Sequence, residues 1–175
     1  MESHTLELYP ERGQVHIALF RNITNAPELR QRLIAQDKTL ACALVEANVV
    51  MNVLHILLAV NRAVHDEQNN QIKSHNVHSE IVVDLSPTVN IAQAFRRFGL
   101  TDDTKDLLVV KVGGDASEVE KEMRENVKGD LVALNQLEQI RDIKKIKKYY
   151  QVGNEEDTDM ILQLVASAMA LKGHI

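Results

Sequence analysis

With 175 residues, 45% of them apolar, and a single cysteine, the chain is expected to fold as one domain over residues 1–175, around a core that needs no disulfide or structural metal. A formal charge of −5, from 20 basic and 25 acidic residues, argues against general adhesion to nucleic acid or acidic lipid, so any contact with a polyanion must come from local clusters. No apolar run nears the roughly 20 residues that span a bilayer. Residues 1–4 also lack the basic and apolar regions of a secretory leader, and the lone Cys42 suits a reducing compartment, so an intracellular protein without a membrane partner is expected.

Residues 5–9 place Leu6 and Leu8 on one face, and residues 15–20 alternate Val15, Ile17 and Leu19 with His16, Ala18 and Phe20. These read as two antiparallel strands joined across Pro10. Asn25 stands where it can cap a first helix, with Pro27 near its start and Leu29, Leu33 and Ile34 facing inward. Residues 39–51 carry no clear period, and the apolar neighbours of Cys42 point to a packed thiol rather than a nucleophile. A long helix follows over residues 52–67, capped by Asn52 and apolar nearly all round. Leu54, Leu58, Asn61, Arg62 and His65 share one face, with Ile56, Leu57, Val60, Ala63 and Val64 spread over the rest.

After a polar loop over residues 68–76, the β-branched run of Ile81, Val82, Val83 and Leu85 predicts a strand that stops at Ser86-Pro87. Asn90, with Gln93 three residues on, predicts a capped helix. Ile91, Ala94, Phe95 and Phe98 form its apolar stripe, and Gly99 closes it in the left-handed conformation. Residues 107–112 predict a buried strand, Gly113-Gly114-Asp115 a turn, 116–126 a charged surface helix and 131–134 a short strand. Arg141, Lys144, Lys145 and Lys148 fall on one basic stripe opposite Ile143, Ile146 and Tyr150. The last helix, residues 157–171, starts behind acidic residues that suit the positive end of its dipole. Together these elements predict an α+β fold, a single-domain two-layer sandwich of a mixed or largely antiparallel sheet with helices packed on one face.

Chemistry-bearing motifs are scarce. The one glycine pair lacks the further glycines or the trailing Gly-Lys-Ser/Thr of a phosphate cradle. His65, His75 and His78 have no cysteine or carboxylate at metal-ligand spacing, and Glu80 reads as a salt-bridge or hydrogen-bonding partner rather than a base. A protein that is not an enzyme and uses no metal or cofactor is expected. Its surfaces say more: Met160, Ile161, Leu162, Leu164, Val165, Ala168, Met169 and Leu171 cover a wider arc than one-sided packing needs, which either a second layer of the same domain or another polypeptide would cover.

Several stretches also resemble a known family. The run 54–63, Leu-His-Ile-Leu-Leu-Ala-Val-Asn-Arg-Ala, is similar to an apolar helix ending in Ala-x-Asn-Lys/Arg-Ala. Ser79-Glu80-Ile81, Leu85-Ser86-Pro87, Asn90-Ile91, Phe98-Gly99 and residues 107–112 look like that family's central signature, while residues 6–20, 144–152 and the closing helix also fit. On these the chain resembles, over essentially its whole length, the PRPK-binding protein (TPRKB) family of small KEOPS complex subunits. His78, where relatives often carry an apolar or hydroxyl residue, and the bulkier Arg96-Arg97 pair depart from the pattern.

The resemblance implies a non-catalytic subunit of the cytoplasm and nucleus, without a cofactor. It would bind and regulate the small atypical kinase/ATPase PRPK directly and meet the other KEOPS subunits indirectly, in support of threonylcarbamoyl-adenosine modification of tRNA. Archaeal members of the family also help to capture the tRNA 3′ end. Amphipathicity then places the kinase contact on Leu54, Leu58, Phe98, Leu100, Val165 and Met169, and a tRNA contact on Arg62, Arg97, Lys144, Lys145 and Lys148. The alternative reading is an independent small tRNA-binding protein.

Overall fold

The computed structural model describes residues 1–173 and contains strands β1 (Glu2–Thr5), β2 (Gln14–Arg21), β3 (Ala43–Glu46), β4 (Leu107–Val112) and β5 (Asp130–Val132). The helices are α1 (Ala26–Ile34), α2 (Val53–Gln68), α3 (Val77–Leu85), α4 (Ile91–Phe98), α5 (Ala116–Asn126), α6 (Leu137–Ile140), α7 (Ile143–Tyr150) and α8 (Thr158–Leu171). Among the described residues no helix is long and apolar enough to cross a membrane.

Every strand pair is antiparallel, in the order β1-β2-β4-β3. One edge of β2 pairs with β4 through Val15 to Val112 and Phe20 to Leu107, and its other edge is shared in succession by β1 and β5. Side chains alternate across a strand. Val15, Ile17, Leu19, Val45, Leu108 and Val110 therefore point into one core with α2, α3, α7 and α8, while Ala18, Phe20, Leu44, Leu107 and Val109 point into a second with α1 and α5. The α+β class and the antiparallel sheet agree with the sequence reading. The single helical layer expected there is joined by a second, smaller one, because β2 and β4 are apolar on both faces and each face must be covered.

The largest departure is α3. Residues 77–85 form a helix, not the predicted strand, although Ile81, Val82 and Val83 are good strand formers. A reciprocal capping box starts it: Asn76 Oδ1 accepts from Ser79 N at 3.0 Å and Ser79 Oγ accepts from Asn76 N at 3.1 Å. Seven of its nine residues are buried, since α3 lies between α2 and α4 and against β3 and β4, and burial all round erases the period that would have marked a helix.

Smaller corrections have local causes. The first strand is residues 2–5, so Leu6 plugs the core and Leu8 projects outward. Asn25 does not cap α1; it donates to Asn126 O (2.8 Å) and accepts from Lys128 N (3.0 Å), tying α1 to the end of α5, and Leu33 and Ile34 are exposed. Asn90 does cap α4, accepting from Gln93 N at 2.9 Å, but Phe95 is exposed. Gly99 has φ −88°, outside the left-handed region; a Cβ there would lie 2.8 Å from the Phe95 carbonyl oxygen, so close packing is what requires glycine.

Candidate interaction surfaces

Helix α2 organises the candidate site. Asn52 caps it, accepting from His55 N at 3.1 Å, and its inner face of Ile56, Ala59, Val60, Ala63 and Val64 is fully buried against α3 and the sheet. His55 is buried too. Its Nδ1 accepts from Met51 N (3.1 Å), so its Nε2 carries the hydrogen and donates to the Tyr150 hydroxyl (2.9 Å), which donates in turn to the Leu85 carbonyl. This chain of hydrogen bonds ties the start of α2, the end of α7 and the end of α3 together. Burial holds the His55 imidazole down at about 3, neutral at physiological pH, and pushes the Tyr150 phenol up.

One edge of α2 is left outside. Leu54 and Leu58, one turn apart, are 52% and 37% exposed. The next residue along this edge, Arg62, donates to the Met169 carbonyl at 2.9 Å and so joins α2 to the C-terminal end of α8. On α8 a buried stripe of Ile161, Val165 and Met169 faces inward, and an adjacent stripe of Met160, Leu164 and Leu171 is exposed. The sites predicted from sequence therefore divide. Leu54 and Leu58 present surface, whereas Phe98 (0% exposed), Leu100, Val165 and Met169 are consumed by this chain's own packing. Phe98 meets the Tyr149 ring edge-on and the Tyr150 ring at a tilt, and Leu100 sits in the second core. As docking residues these four are corrected: they have no side-chain surface to offer. The large apolar side chains that α8 leaves exposed are Met160, Leu164 and Leu171, all within the excess apolar arc read from the sequence.

The basic residues divide as well. Lys144 and Lys148 are exposed, one turn apart on α7, whose first turn Asp142 caps by accepting from Lys145 N at 3.1 Å. Arg97 lies 4.6 Å from the centre of the Tyr149 ring and Lys145 lies 5.9 Å from it, so α4 and α7 bring two cations to one aromatic side chain. Arg62 is instead held in the α2–α8 seam, and Arg141 donates to the Met51 carbonyl at 2.9 Å. Among the histidines, His78 Nε2 accepts from Val112 N at 3.1 Å, which occupies that nitrogen, and burial lowers its pKa to about 4. Beside the α2–α8 seam, Asp66, Glu80 and Asp84 bring carboxylates together near Lys172. Burial first, then the Glu80 charge, raises Asp84; burial lowers Lys172.

The architecture is a domain packed on both faces of its sheet, with apolar side chains exposed on α2 and α8 and cations gathered on α4 and α7. Residues 20–173 match the family model described as kinase binding protein CGI-121, and the chain belongs to that family. It is 42% identical to the EKC/KEOPS complex subunit cgi121 of Aspergillus fumigatus, over 99% of this chain and 97% of that one. It is 33% identical to the EKC/KEOPS complex subunit TPRKB of Danio rerio, over 95% of each chain. Identity to the cgi121 subunit of Schizosaccharomyces pombe is 31%, over 97% of this chain and 98% of that one.

Proposed function

We propose that this chain is a non-catalytic subunit of the KEOPS complex, in the cytoplasm and nucleus. It docks on the small kinase/ATPase PRPK, contacts the other subunits through that partner, and so supports threonylcarbamoyl-adenosine modification of tRNA. The observation that carries the reading is the exposure of Leu54 and Leu58 on α2 and of Met160, Leu164 and Leu171 on α8, large apolar side chains on two helices that pack together. Titrating purified PRPK against the chain tests it. Leu58→Glu and Leu164→Glu, both at exposed positions, are expected to keep the far-ultraviolet spectrum and weaken binding at least 30-fold, about 2 kcal/mol or more. Wild-type affinity in both folded variants would remove this edge from the interface.

A second reading, direct contact with tRNA, is favoured by one observation, the Arg97 and Lys145 cations gathered at Tyr149 beside exposed Lys144 and Lys148. If the chain acts as an independent tRNA binder, it retains tRNA without PRPK and with a steep salt dependence. If it is a subunit of an assembly, retention requires PRPK.

A further inference from the structure

Asp66 on α2 and Glu80 and Asp84 on α3 each bring a carboxylate oxygen within 4.8 Å of the other two. Glu80 and Asp84 share one face of α3, four residues apart, and are buried; Asp66 is half-buried and supplies an open side. Glu80 is firmly oriented, since its Oε2 accepts from Lys73 N (3.1 Å), Ser74 N (2.9 Å) and the Ser74 hydroxyl (2.6 Å).

Asp84 differs. It is 4% exposed, its Oδ2 is sealed from solvent, and that oxygen has no hydrogen-bond donor among the described residues. A buried carboxylate oxygen left in this state is costly unless something positive meets it. Two neighbouring cations have other hydrogen-bond partners: Arg62 donates to the Met169 carbonyl and Lys172 Nζ to the Val83 carbonyl at 2.6 Å. The ion pairs within 4 Å among the described residues include none of the three carboxylates.

We infer that Asp66, Glu80 and Asp84 form a binding site for a hard divalent cation of the magnesium, manganese or calcium class. The donors are all oxygen, which selects that class over zinc or copper. Three oxygens at most 4.8 Å apart surround a point about 2.8 Å or less from each, so small side-chain rotations reach the 2.0–2.6 Å of such bonds. Water enters from the Asp66 side to complete the coordination. The ion cross-links α2 to α3 and so stiffens the helix that carries Leu54 and Leu58.

The test is titration of the full chain with Mn²⁺ at pH 7.5, free ion being read by electron paramagnetic resonance, with melting temperature followed in parallel. One Mn²⁺ per chain is expected, displaced by Mg²⁺ or Ca²⁺ and raising the melting temperature. Asp84→Asn should weaken binding at least tenfold. Asp66→Asn, at a half-exposed position where loss of the charge leaves the fold intact, should weaken it about fivefold. Folded wild-type chain that leaves millimolar Mn²⁺ free would overturn the site and mean that a proton alone meets the Asp84 charge. Wild-type binding by folded Asp66→Asn would equally overturn it, by assigning the ion to other carboxylates.

Discussion

Tyr150→Phe deletes one oxygen and breaks a chain of three buried groups. In the native fold His55 Nε2–H donates to that oxygen at 2.9 Å, and the hydroxyl donates onward to the Leu85 carbonyl. His55 is fully buried and Tyr150 nearly so, so no water replaces the lost partner. The variant leaves one donor and one acceptor unpaired, at about 1–3 kcal/mol each, less the desolvation of the hydroxyl that is no longer buried. A net loss of about 2–4 kcal/mol is expected, which for a chain of this size lowers the melting temperature by roughly 4–16 °C. Urea unfolding followed by circular dichroism and by calorimetry gives the number and checks that the transition is two-state. Tyr149→Phe is the control, because the Tyr149 hydroxyl makes no hydrogen bond among the described residues while its ring keeps its edge-on contact with Phe98; it should cost less than about 0.5 kcal/mol. If Tyr150→Phe unfolds within 0.5 kcal/mol of wild type, the relay contributes nothing and the argument from unpaired buried groups fails.

The same relay makes stability depend on pH. Burial lowers the folded His55 pKa to about 3 from its ordinary 6.5, so between these values the unfolded chain binds the extra proton; the contribution is complete above pH 6.5 and is lost as pH falls toward 3. Urea midpoints should fall between pH 7 and 5, and His55→Gln should flatten the slope by roughly 1.4 kcal/mol per pH unit; an unchanged slope would show that His55 takes up its proton without unfolding. Cys42 supplies a chemical readout. Burial pushes its thiol up to about 12, so at pH 8 the native chain should react with a disulfide reagent at least 100-fold more slowly than the urea-unfolded chain, and equal rates would show the thiolate to be accessible in the native fold.

Much of the framework is legible in single residues. The alternation of Val15, Ile17 and Leu19 and the apolar run of residues 107–112 locate β2 and β4, and Asn52, Asn90 and the acidic residues around Asp157 mark three helix starts that the structure keeps as side-chain caps. These signals are local: a cap bonds within three residues, and strand alternation repeats every two. The segment 77–85 went the other way because its β-branched propensity was opposed by the Asn76–Ser79 capping box and by a burial that surrounds the whole element. Propensity differences of a few tenths of a kcal/mol per residue lose to packing on every side.

What the sequence determined by itself is therefore the apolar residues, the starts of α2, α4 and α8, the α+β class, and the excess of apolar surface on α2 and α8. Which part of that excess stays outside was decided only by tertiary structure. Leu164 and Val165 are neighbours of similar chemistry, yet one is exposed and the other fully buried, because helix rotation is set by the elements α8 meets, α2 and α7. Likewise Asp66 and Asp84 stand 18 positions apart, and only the packing of α2 on α3 places their oxygens together. Local free energies choose where helices and strands begin, while the relative rotation of packed helices is fixed by contacts between residues distant in the chain.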